Sequence, residues 1–152
     1  MGVLAATLSM IVPNPYSLLR AASPPEPQLS LDTQIDALWD QFETQQAALG
    51  HGHSEVLKLE EQLARAHHLR GERDLARDLF EEALVYRSVL EGDQGRHTVV
   101  VAAGLFELLC EVGDRSAMAE VYYRYLSWLT MRSPHNLDPT LLAIHVRVEE
   151  LI

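Results

Sequence analysis

Residues 63–84 read LARAHHLRGERDLARDLFEEAL, and residues 105–126 read LFELLCEVGDRSAMAEVYYRYL. Laid over one another they keep step: Leu63 falls on Leu105, Gly71 on Gly113, Ala76 on Met118, Phe80 on Tyr122 and Leu84 on Leu126. The shift is 113 minus 71, or 42 residues, and the same step carries Val56 to Thr98 and then to Thr140. On both sides of each glycine the apolar residues recur three or four positions apart, the pattern of two amphipathic helices joined by a tight turn. A fixed period of this length, built from two helices and two short turns, marks a solenoid in which each helix pair buries its face only against neighbours.

Working outward, helix signals run without a break from Leu31. Leu31, Ile35, Leu38, Phe42 and Leu49 share one face of a first helix. A second starts near Ser54, taken as its N-cap, carries Val56, Leu59, Leu63 and Ala66, and stops at Gly71. The third has the broad stripe Leu75, Ala76, Leu79, Phe80, Ala83, Leu84 and Leu90, with Arg77, Asp78, Glu81 and Glu82 outside. The fourth, about Arg96 to Val112, is apolar almost all round and is expected to be buried on more than one side. Its β-branched start, Thr98 to Val101, would suit a strand, but the run continues to Leu109 without a turn residue, and length favours helix. Gly113 closes it and Asp114 caps a fifth, striped by Met118, Val121, Tyr122, Tyr125, Leu126 and Leu129. Asp138-Pro139 then opens a sixth through Leu141, Leu142, Ile144, Val148 and Leu151. The expected fold is all-α, about six helices in residues 31–152. Residues 1–30, broken by Pro13, Pro15, Pro24, Pro25 and Pro27, form a lead that is partly helical or disordered.

Leu49, Gly50, His53, Val56 and Leu57, followed by Leu63, Ala64, Gly71, Ala76, Phe80, Ala83 and Leu84, resemble a tetratricopeptide repeat of the long, kinesin-light-chain-like type. Ala64, Gly71, Ala76, Phe80 and Ala83 hold that family's small residue, glycine, alanine, aromatic and second alanine. The resemblance covers about Leu31 to Ile152, as one good repeat, one divergent repeat and two half repeats. The divergent one has Phe106 for the small residue and Tyr125 for the second alanine, which points to an altered packing distance or angle. The family's inter-repeat proline is also missing at Ser54 and Arg96. The resemblance implies a right-handed superhelix of antiparallel helix pairs, whose first helices line a concave groove. Carried over position by position, the groove residues are Lys58, Glu61, Arg65, His68, Glu107, His145 and Glu149.

Composition limits the partners. The 152 residues suffice for one domain with its own core, and 47% hydrophobic with 22% charged residues is ordinary globular usage. Twenty-two acidic against 12 basic residues leave a net charge of -10, a field that repels nucleic acid. The apolar run Val3 to Val12 is too short to span a bilayer, has no basic residue before it and meets Pro13. The single Cys110 excludes an intrachain disulfide, lies in an apolar run as a packed thiol, and suits a reducing cytoplasm.

Seven histidines raise a metal site, but spacing argues against one. His67 and His68 are neighbours on a helix and point about 100° apart, while His51 and His53 suit a polar turn. His145 and Glu149 share a helix face as an acid–base pair or, more simply, a side-chain contact on an exposed helix. No phosphate loop, nucleophile elbow or dinucleotide fingerprint occurs, so neither an enzyme nor a cofactor is expected. Tyr122 and Tyr125 fall on a core stripe; Tyr123 and Trp128 fall off it, as an exposed anchor for a partner or as residues covered by the next helix. The expected function is a scaffold that holds an extended or helical peptide of a partner protein in the groove. The alternative is self-assembly, with Leu141, Ile144, Val148 and Leu151 as a homodimer surface, or a truncated helical-repeat part of a larger regulatory ATPase or transcription regulator.

Overall fold

The computed structural model describes residues 30–152. The readings placed on residues 1–29, namely the apolar run, the proline breaks and the linker, lie outside the described residues. All regular structure among the described residues is helical. Helices α1 (Leu31–Leu49), α2 (Ser54–Leu69), α3 (Arg73–Glu91) and α4 (Arg96–Val112) are followed by α5 (Arg115–Val121). A π-helical turn (Tyr122–Leu126) carries α5 on into α6 (Ser127–Thr130); a 3-10 turn (Pro134–Asn136) then leads to α7 (Pro139–Leu151). With α5, the π turn and α6 as one rod, there are six helical rods, each packed on its neighbours in sequence.

The repeat seen in the sequence is also a repeat of turn geometry. The four glycines with positive φ are Gly50, Gly71, Gly92 and Gly113, evenly spaced and closing α1, α2, α3 and α4 in turn. Two kinds of turn alternate along them. After Gly50 and Gly92 the chain makes the same small loop, with His53 N–H donating to Gly50 O and Gly95 N–H to Gly92 O. At Gly71 and Gly113 both helices end in a Schellman arrangement: Glu72 N–H donates to His67 O and Asp114 N–H to Leu109 O. The unit that repeats is therefore one turn of each kind with the two helices they join.

The expected stripes form the core. Ile35, Leu38, Phe42, Leu63, Phe80, Leu84, Leu105, Leu109, Leu126 and Leu129 are all buried. As its all-round apolar sequence required, α4 packs against α3 on one side and the α5 rod and α7 on others, and its β-branched start is helical. Some stripe ends differ from expectation. Leu49 is 44% exposed and Leu90 54%, because each lies in the last turn of its helix beyond the reach of the next one. The N-cap of α2 is His53, whose Nδ1 accepts from Glu55 N–H, in place of the expected Ser54. Ser54 instead accepts from the buried Arg87 of α3. Asp114 and Asp138 cap α5 and α7 as expected, accepting from Ala117 and Leu141 N–H.

The divergence of the second repeat has a structural counterpart. Phe106 and Tyr125 are both buried where the first repeat has Ala64 and Ala83, and the Phe106 ring lies 6.2 Å from that of Tyr122. The π turn includes Tyr122, which neighbours Phe106 of α4, and Tyr125. Its extra residue per turn rotates everything beyond it, so α6 continues on a shifted face.

Candidate functional site

A groove of about 540 Å³ opens between α2, α4 and α7. Its floor comes from small and apolar residues: Val100, Ala103 and Gly104 of α4, with Ala143, Ile144 and Val148 of α7. The depth depends on Gly104. A Cβ there would stand 2.8 Å from the buried Phe80 ring, so the absent side chain leaves that ring as part of the floor. Charged residues form the walls. Arg147 donates to Glu107 at 2.6 Å across the groove between α7 and α4, and His68 meets Glu111 at 2.8 Å. Arg65, exposed on the α2 wall, pairs with no acidic group among the described residues.

Of the residues carried over from the resemblance, Arg65, His68 and Glu107 line this groove. The others lie elsewhere. Lys58 is exposed on α2 outside the lining, and Glu61 turns toward α3, held 2.8 Å from Arg87. His145 is buried: its Nδ1 donates to Leu129 O at the end of α6, so the helix face expected to be open is covered at that position. Glu149 lies 3.3 Å from His145 Nε2 and is exposed, away from the lining. The face α7 turns to the groove carries Thr140, Ile144, Arg147, Val148 and Leu151. Arg147, Ala103 and Gly104 are lining residues that the sequence reading missed. The helical spacing of 140, 144, 147 and 151 was the signal that could have found Arg147.

The stripe expected as an assembly surface lies partly against the core and partly along the groove. Val148 is buried, and Leu141, Ile144 and Leu151 are half-buried against the core. Tyr123 is 74% exposed, whereas Trp128 is half-buried and its indole N–H donates to Tyr125 O. Cys110 is half-buried, and burial together with nearby Glu107 pushes its thiol pKa up, which disfavours the thiolate a nucleophile needs.

His67 and His68 face different partners, as their spacing required. His67 accepts from Trp39 N–H of α1 and its Nδ1 donates to Glu72. His68 points to α4.

A second polar cluster lies where the turn after α1 meets α2 and α3. His51 Nε2 lies 2.8 Å from Glu60 and 3.3 Å from Glu82, and its ring is stacked on Tyr86 with centroids 4.6 Å apart. Glu60 is 1% exposed, and burial, followed by repulsion from Glu82 and Glu61, raises its pKa to about 8. The sequence reading placed His51 in a polar turn and gave Glu60 and Glu82 no site role, because only the packing of α2 on α3 brings the three together.

No family model matches the chain, and no curated protein or solved structure matches it. No helix among the described residues is long and apolar enough to cross a membrane.

Proposed function

We infer that the chain is a protein-binding scaffold, a right-handed tetratricopeptide-like helical repeat acting in the cytoplasm, whose groove between α2, α4 and α7 holds a peptide of a partner protein. The observation that carries this reading is the groove itself, with its floor of small residues and, on one wall, Arg65 without an acidic partner among the described residues. A floor of Val100, Ala103, Gly104 and Ala143 offers apolar surface without filling the space, which is what a helical or extended segment requires. Arg65 then selects an acidic group on the ligand, and the Arg147–Glu107 pair offers both signs of charge to its polar positions. The groove's small apolar floor and charged walls favour binding over chemistry.

The test uses peptides selected from a displayed library on the intact chain. Arg65→Glu, with far-UV circular dichroism unchanged, should weaken the selected peptides about fivefold, the effect of roughly 1 kcal/mol from an exposed charge pair. Ala103→Phe, which fills the floor, should abolish binding. Peptides that bind both variants as they bind the parent chain would refute the groove.

A further inference from the structure

The cluster around His51 lacks a cation that its counterpart in the next repeat possesses. Moved by the repeat step of 42 residues, Gln46, His51 and Glu82 fall on Ser88, Asp93 and Arg124. There the charges balance: Arg124 lies 3.1 Å from Asp93, and Ser88 donates to the same carboxylate. Glu60 falls on Ala102, so the second repeat has no buried acid at that place. In the first repeat two carboxylates converge on one imidazole nitrogen, and neither Glu60 nor Glu82 has a Lys or Arg partner among the described residues. One oxygen of the buried Glu60 carboxylate, Oε1, has no hydrogen-bond partner among them.

We propose that His51, Glu60 and Glu82 form a binding site for a divalent transition-metal ion, Zn2+ by preference, which joins α2, α3 and the turn that follows α1. One donor atom from each residue lies within 4.8 Å of the other two. Ligands about 2.1 Å from a tetrahedral ion stand about 3.4 Å apart, so the 2.8 Å and 3.3 Å separations at His51 Nε2 need little adjustment. One imidazole and two carboxylates suit Zn2+; the nitrogen donor and the small ligand number disfavour Mg2+ and Ca2+. The ring is held in place before any ion binds, stacked on Tyr86 and edge-on to Phe42. Gln46 lies 3.0 Å from His51 Nδ1, and its amide, turned over, accepts the Nδ1 proton that a metal-bound imidazole carries. The half-exposed Glu82 provides the way in, and water completes the coordination.

The intact chain, treated with EDTA and desalted, is titrated with Zn2+ by calorimetry and melted with and without it. Mg2+ serves as the control ion. Long-range 1H–15N spectra of the histidine rings locate the ion. The expected result is one Zn2+ per chain, a higher Tm, and a zinc-dependent shift of His51 Nε2. Glu82→Gln, at a half-exposed position that leaves helicity intact, and His51→Gln should each weaken binding about tenfold or more. Zinc binding that both variants leave unchanged would place the ion elsewhere and overturn the site. A Tm indifferent to excess Zn2+, with His51 responding to pH alone, would overturn it as well and leave a cluster held by shared protons.

Discussion

At the residue scale, Gly71 is held at φ 86° with no space conflict around it, so its conformation alone demands glycine. Gly71→Ala should cost about 1–2 kcal/mol in urea unfolding, the penalty of a left-handed residue with a Cβ. The next residue, Glu72, accepts from Arg70 Nε and from His67 Nδ1, and these bonds hold its pKa down at about 2. A carboxylate whose folded pKa is depressed stabilises the fold above its unfolded pKa, near 4.5, and loses that contribution as pH falls toward 2. Glu72→Gln should therefore be less stable than the parent chain at pH 6 and approach it at pH near 2, measured as urea midpoints across that range; a constant difference would contradict the assignment. Gly71 was plain in the sequence because a helix stop is a local event. The role of His67 was not, since it depends on Trp39 arriving from a different helix.

At the scale of elements, α1 is tied chiefly to α2, by core contacts and by the Trp39–His67 hydrogen bond of 3.0 Å. Trp39→Phe keeps the aromatic contact with Phe42 and removes that bond. The expected loss is about 1 kcal/mol, with faster amide hydrogen exchange in α1 and unchanged protection in α4. Uniform loss across all helices would mean that α1 does not open on its own. The helices themselves were legible because period and caps are written in consecutive residues: the middle of each stripe through α4 is buried, and Asp114 and Asp138 cap as their positions suggested. The ends of α1 and α3 were misjudged, with Leu49 and Leu90 left in solvent, since a stripe does not record where its covering helix stops. The π turn was foreshadowed only by the bulk at Phe106 and Tyr125.

At the scale of the whole molecule, the 42-residue step in sequence reappears as alternating turns, so the helical order was readable in advance. The groove was half readable. Arg65, His68 and Glu107 line it, while His145 is buried with its Nδ1 bonded to Leu129 O. Since α7 buries Val148 against the core and supplies one groove wall, a chain ending before Asp138 should be less stable and prone to self-association through the apolar surface uncovered on α4. Sedimentation of both lengths checks this: an equally stable monomer after truncation would mean that α7 covers nothing of consequence.

On the proposed function, a partner peptide sits in the groove. The most direct measurement is amide chemical-shift mapping on the intact chain as a library-selected peptide is added. Perturbations should centre on Ala103, Gly104 and Ala143 and spread to Arg65 and Arg147. Perturbations confined to the outer faces of α1 and α3, with Ala103 and Gly104 unmoved, would contradict it.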